Sequence, residues 1–268
     1  MAKAKSSPTS TPPPENRGRG RWLVADFAPV SLFSLKTAYA TNKGGKTLVV
    51  PTPYSVKMAM LDACFRRFGP GNADARAREM FEWIKWREVR VRPPKHCVVQ
   101  QTFIKILDHD RDGTLPFKNT IAYREFAFFQ GNLQIAVAAG GAGAYACAAA
   151  ELFAHINYLG KRGGFWQFLA SETIEGDLPL GFSTPIDVPG AFASPYIIFQ
   201  ALDDFGDALC AAKDGFDRVS TYGSGTIKLG EHRVLKDTAV TYRKVGASRH
   251  YTWYRRSELD SAPLGQLR

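Results

Sequence analysis

Asp108, Asp110, Asp112 and Gly113 stand at positions one, three, five and six of a calcium-loop spacing, with Leu115 at position eight. Such a loop needs a bidentate Glu at position twelve, where this chain has Asn119, and Pro116 stands at position nine. The flanks alternate as strands do, so the segment reads as a polar turn and no metal is expected. Nucleophilic catalysis needs a nucleophile, a base and an orienting group, and no G-x-S-x-G announces one. The histidines His96, His109, His155, His232 and His250 are isolated and form no H-x-x-x-H or H-E-x-x-H pattern. A metal-independent ribonuclease could still use one His with a Tyr or Lys as general acid and base, and His96 with Lys95 and Tyr123 is the candidate. Gly140-Gly141-Ala142-Gly143 falls between a strand and a helix but lacks the G-x-G-x-x-G spacing and an acidic partner, so no cofactor is expected there.

Cations interleaved with aromatic residues suit a different chemistry. RNA binding needs positive charge for phosphates and flat side chains for unstacked bases. Three stretches supply both: Lys36 to Lys46 with Tyr39, Arg87 to Lys105 with alternating cations, and Asn157-Tyr158-Leu159-Gly160-Lys161-Arg162-Gly163-Gly164-Phe165. In the last, glycines beside Lys161 and Arg162 let backbone approach a phosphate, and Tyr158 or Phe165 could stack. The competing reading is a solvated helix C-terminus, where the same residues complement the dipole and cap the end.

The chain as a whole agrees with a polyanionic partner. It has 268 residues, 45% hydrophobic, enough for a sizeable core, and 35 Lys and Arg against 25 Asp and Glu give a formal net charge of +10. Cys64, Cys97, Cys147 and Cys210 form no C-x-x-C pair and read as small core residues of a protein in a reducing, cytoplasmic compartment. Residues 1–21 carry charge but no apolar signal core, and read as a disordered basic arm. The uncharged stretch from Leu133 to Ala150 is interrupted by glycines and reads as strand, turn and helix rather than a membrane span.

Elements that must position these residues follow from periodicity. Trp22 to Phe27 and Thr47 to Val50 are strand-like. Val56, Met60, Leu61, Cys64, Phe65 and Phe68 predict a helix capped by Ser55 and stopped at Gly69-Pro70-Gly71, and a second helix covers Asp74 to Trp86. Extended, cation-bearing structure spans Arg87 to Leu107. Thr120 to Phe129 and Leu133 to Val137 predict a hairpin through Gln130-Gly131-Asn132, and a helix runs from Ala144 to Tyr158. In the second half only Thr238 to Val245 and Arg249 to Arg256 are legible, as a pair of strands. This order predicts an α+β, ferredoxin-like layer at residues 22–170, with an insertion at about 86–119 and a β-rich region over 171–268.

Three stretches in order carry a family resemblance. Val50-Pro51-Thr52-Pro53-Tyr54-Ser55-Val56-Lys57-Met58-Ala59-Met60-Leu61 resembles the proline-rich entry to the first helix of CRISPR-associated RAMP proteins of the Cas-five type, which cap the 5′ handle of CRISPR RNA. Tyr123-Arg124-Glu125-Phe126 leading to Leu133-Gln134-Ile135-Ala136-Val137 is similar to the strand pair after that family's thumb, and Ile156-Asn157-Tyr158-Leu159-Gly160-Lys161-Arg162 is similar to its glycine-containing segment. Tyr222-Gly223-Ser224-Gly225 is a weak version of the family's glycine-rich C-terminal loop. The resemblance implies a ferredoxin-like (RRM/RAMP) core with a β-hairpin-like thumb. It implies a non-catalytic, RNA-binding subunit of a type I Cascade ribonucleoprotein in antiviral defence, partnered by CRISPR RNA, the backbone and large subunits and, through the complex, target DNA. The RNA-binding candidates are then Lys43, Lys46, Tyr54, Lys57, Arg124, Lys161 and Arg162, with Arg90, Arg92 and Lys105 along the thumb. One branch of the family cuts precursor RNA with a Tyr, Lys and His set, which makes an endoribonuclease the alternative.

Overall fold

A computed structural model describes residues 20–37, 44–109, 116–140, 144–161, 163–186 and 197–257. In chain order its elements are β1 (Arg21–Pro29), β2 (Leu35–Lys36), β3 (Gly44–Gly45), β4 (Thr47–Leu48), α1 (Pro53–Ile84), β5 (Val89–Arg92), β6 (His96–His109), β7 (Phe117–Gln130), β8 (Leu133–Ala138), α2 (Ala144–Phe153), β9 (Trp166–Glu175), β10 (Thr184–Pro185), β11 (Ile198–Phe205), α3 (Asp207–Ala211), α4 (Gly215–Val219), β12 (Arg233–Val240), β13 (Tyr242–Ala247) and β14 (Tyr251–Arg256). The fold mixes helices with mostly antiparallel sheets.

β1 alternates, and the alternation builds two layers. Leu23, Ala25 and Phe27 point into the main core with α1 and α2, while Trp22 and Val24 join a smaller cluster with Ala136, Ala138 and Phe182 on the other face. β1 lies between β8 and β9, and β5 closes the sheet in the order β5-β8-β1-β9, every pair antiparallel. α1 connects β1 to β5 and α2 connects β8 to β9. Ala146, Ala149, Leu152 and Phe153 form the buried stripe of α2 at helical spacing. The apolar stretch from Leu133 to Ala150 is thus β8 followed by α2, and among the described residues no helix is long and apolar enough to cross a membrane.

α1 starts one turn earlier than its periodicity suggests. Thr52, extended at φ −85° and ψ 153°, accepts the Ser55 amide at 3.1 Å, and Pro53 occupies the first turn. Thr52 therefore takes the capping role expected of Ser55. The two expected helices are there, divided at Gly69, whose φ of 66° is open to glycine at little cost.

The expected hairpin between Thr120–Phe129 and Leu133–Val137 does not form. β7 pairs instead with β6 over 14 residue pairs, from His96↔Gln130 to His109↔Phe117. β8, buried at five of its six positions, sits at the centre of the other sheet. Burial decides this, because a strand covered on both faces belongs inside a sheet, and Gly131, at φ 112°, lets the chain pass between them. β5 likewise belongs to the four-stranded sheet and not to an insertion.

The long hairpin forms a second sheet in the order β13-β14-β6-β7-β3, and β10-β12-β11 form a third. β14 pairs with β6 only from His96 to Gln100, so the distal half of the hairpin has no described strand beside β6. The expected Thr238–Val245 strand is split at Thr241: its first part ends β12, and its second becomes β13, which pairs with β14 as expected. One core cluster runs from β1 through α1 and α2 to Leu202, Phe205, Leu209, Phe216, Val240 and Tyr242 in the C-terminal region.

A buried ion pair ties α1 to that region. Lys57 is 1% exposed, its Nζ is 2.7 Å from Asp204 Oδ1, and it donates to the Lys85 carbonyl at 3.2 Å. Lys236 reaches Asp204 Oδ2 at 2.9 Å, and the Phe205 amide donates to Asp204 Oδ1 at 2.8 Å. Burial alone would raise the Asp204 carboxyl, but Lys57 and Lys236 outweigh it and hold it below the usual carboxylate range.

A carboxylate held low in the folded state contributes stability above its unfolded pKa of about 4 and loses it as the pH falls through its folded value. Lys57→Met should therefore cost about 3 kcal/mol at neutral pH, because the buried carboxylate keeps only one cation, Lys236, beside the Phe205 amide. It should also flatten the loss of stability below about pH 4, read by denaturant titration across pH.

Cys64, Cys97 and Cys210 are buried, with their thiols pushed up to about 12 by burial, whereas Cys147 is exposed, contrary to the expectation of four core cysteines. Thiol labelling of the native protein should modify Cys147 alone, with the other three reacting only after unfolding.

Candidate nucleic-acid interface

A chain of contacts brings several of the expected cations together. Gly160, at φ 78°, turns the segment after α2 so that its backbone lies against Leu35 and Ser55, which places exposed Lys161 beside the start of α1. Leu35 and Lys36 of β2 pair with Leu48 and Thr47 of β4, and the Leu35 amide donates to Thr47 Oγ1 at 2.9 Å. The Thr47 amide donates to Glu125 Oε2 at 2.9 Å. Next to it, β3 runs parallel to β7 with Gly45 opposite Arg124, so close that a Cβ at Gly45 would lie 3.2 Å from the Arg124 side chain. Exposed Lys36, Lys46 and Lys161 and half-buried Arg124 thus belong to one contiguous run of β2, β4, β7 and the Gly160 turn.

The other expected residues go elsewhere. Lys57 is in the core with Asp204, so its charge is not available to a phosphate. Tyr54 is half-buried between Phe205, at 5.3 Å, and the Arg233 guanidinium, at 4.5 Å. Burial pushes its hydroxyl above the usual tyrosine range, with Arg233 opposing. Arg90 lies over the Trp22 ring at 5.4 Å and pairs with Glu88 at 2.7 Å, and Arg92 donates to Gln134 at 2.9 Å. Both therefore belong to the helix-free face of the four-stranded sheet and not to the long hairpin. Lys105 does lie on the hairpin, exposed. Tyr39, Lys43 and Arg162 lie outside the described residues, as do Asp110, Asp112 and Gly113. Tyr158 is covered by Arg66 at 5.1 Å, while Phe165, bridged to it across the turn, is exposed.

Sequence reading missed the surface around Lys105. On one face of β6 and β7 the register aligns Phe103 with Tyr123, Lys105 with Ile121, Leu107 with Asn119 and His109 with Phe117. Phe103, Leu107, Phe117, Ile121 and Tyr123 are each more than half exposed. The signal was present as Phe103 and Leu107 in one strand and Phe117, Ile121 and Tyr123 in the other, each set an even number of residues apart, but sharing a face does not say whether that face is covered. Aromatic rings beside a cation are the surface on which unstacked bases pack.

Of the alternative catalytic set, His96 with Lys95 and Tyr123, the structure does not bring Tyr123 to His96. Tyr123 pairs with Phe103, seven residues along β6 from His96, which at about 3.4 Å per residue is roughly 24 Å. His96 Nδ1 accepts from Trp253 Nε1 at 3.2 Å, and the two rings are 5.6 Å apart. Among the described residues no cluster of His, Cys, Asp and Glu could hold a metal ion.

No protein-family model matches the chain, and no curated protein does. Among solved structures, a CRISPR protein from Archaeoglobus fulgidus aligns over 88% of this chain and 92% of its own, with 7% identity and a TM-score of 0.43. A chain of Type III-B Cmr-beta bound to cognate target RNA and AMPPnP aligns over 87% of this chain and 86% of its own, with 8% identity and a TM-score of 0.36. Similarity this weak leaves the functional reading to the chain's own residues.

Proposed function

We propose that this protein is a non-catalytic RNA-binding subunit of a CRISPR ribonucleoprotein, and specifically the type I Cascade subunit that grips the 5′ handle of CRISPR RNA. The observation that carries the RNA-binding reading is the contiguous run of Lys36, Lys46, Arg124 and Lys161, flanked by a long hairpin whose exposed face carries Phe103, Lys105 and Tyr123. Cations for phosphates beside flat rings for bases are what single-stranded RNA requires. The strand order β5-β8-β1-β9 with two helical crossovers on one face supports a ferredoxin-like core, and the hairpin supports a thumb. Both are features that the sequence resemblance implies for this family. The handle and the Cascade partners rest on that resemblance.

In equilibrium titrations with single-stranded repeat RNA, affinity should fall steeply with salt. Replacing Lys46, Arg124 and Lys161 together by Ala should lower the slope of log K against log salt by about 2, at about 0.7 per phosphate contact. Binding that is weak and indifferent to salt would point to a small-molecule protein with an incidental basic surface.

Precursor repeat RNA incubated with the pure protein in EDTA should be bound and remain intact. Specific cuts that disappear in His96→Ala would establish the endoribonuclease instead.

A further inference from the structure

The second sheet has an outer face that the proposed interface reaches only at one edge. At the root of the long hairpin Cys97, Val99, Ala127 and Phe129 fill the core side of β6 and β7, and the residues between them point the other way. On that outer side, register aligns Trp253 with Val98 and Phe128 across β14, β6 and β7, and Tyr251 with Gln100 in the next row. The row beyond is Thr102 and Arg124, so Arg124 belongs to this face and joins it to Gly45 and Lys46. Phe128 is 51%, Tyr251 45% and Trp253 39% exposed, so these rings contribute little to the core beneath them. From strand spacing, the Trp253 backbone stands roughly 7 Å from that of Tyr251 and roughly 10 Å from that of Phe128.

Charge and order say what this face is suited to hold. Across β14, β6 and β7 it carries Arg124 and Arg255 beside His96, and none of its positions from Tyr251 to Arg255, His96 to Thr102 or Arg124 to Gln130 is Asp or Glu. An apolar partner would be met by the rings alone. Cations set among the rings, with no carboxylate in the rows, favour a polyanion that also carries flat groups. Trp253 is already held in place, because its Nε1 donates to His96 Nδ1 at 3.2 Å and the two rings lie 5.6 Å apart. A ring fixed in advance loses little freedom when a base packs on it.

Resting on the RNA-binding reading, we infer that this face is the platform on which bases of the bound single strand stack. Trp253 and Tyr251 take the bases, and Arg124 is the cation through which the strand continues to Lys46. The platform lies on the side of the hairpin opposite Phe103 and Tyr123, so the two surfaces are separable by mutation. Fluorescence anisotropy with labelled oligo(rA), and with the same length of chain bearing abasic spacers, isolates the stacking contribution. Trp253→Ala and Tyr251→Ala should each weaken oligo(rA) by about 10-fold, within the range for one lost stacked base, and leave the abasic chain within about twofold. Neither should change the slope of log K against log salt, because the phosphate contacts remain. Trp253→Phe keeps a ring and should stay within about threefold of wild type for oligo(rA). Unchanged oligo(rA) binding in both alanine variants would overturn the inference alone, and so would equal losses for both probes, which mark a structural role. A dimer that Trp253→Ala dissociates in sedimentation, with oligo(rA) binding intact, would assign the face to a second copy of the chain instead. Wild-type protein that binds neither probe would overturn the RNA-binding reading beneath it.

Discussion

The ion pair between Lys57 and Asp204 fixes where α1 meets the C-terminal half of the chain. Lys57 stands in the first turns of α1, and Asp204 near the end of β11, 147 residues later in sequence but 2.7 Å away in space. Neither charge can stay buried alone, so the two elements must meet in this register. Around the pair, Phe205 stacks edge-on with Tyr54 and packs on Phe81, and Lys236 of β12 closes the remaining side of the carboxylate. Replacing such a pair by apolar residues need not destabilise a protein, so its clearest contribution here is specificity of docking.

That docking has a consequence for charge. The formal net charge of +10 does not count the cations open to a polyanion, because several of them have carboxylate partners close by. Lys57 is consumed by Asp204, Arg233 by Asp203, and Arg66 by Asp62. Lys36, Lys46 and Lys161 are exposed, and they lie together because β2, β4 and the Gly160 turn lie together. The density of cations along the chain therefore says less about an interface than the distribution of carboxylates around them.

The long hairpin and the four-stranded sheet divide the work of the fold. The sheet is covered by α1 and α2 on one face and supplies the rigid base. The hairpin is anchored at its root by β14 and by the Phe33–Ala127 bridge, and its far half keeps an apolar face in solvent. An exposed face of that kind would be a liability on an isolated strand pair, and it makes sense as a surface built to be covered.

Local physics made much of this readable in advance. The α1 stripe, its break at Gly69, the strand character of Trp22 to Phe27 and the β13–β14 pair all follow from periodicity and backbone freedom within a few residues. The grouping of Lys46, Arg124 and Lys161 came from residue type and a family resemblance, and their contiguity needed the register of β2, β3, β4 and β7. Nothing local could show that Lys57 is internal, because an amphipathic helix does not announce that a carboxylate will reach it from 147 residues away. Nor could it pair β7 with β6 rather than β8, or expose the Phe103 face. Sequence fixes which side chains share a face, since pleat and helix repeats are properties of the backbone. Only the packed sheets decide which face is covered, because burial depends on partners distant along the chain.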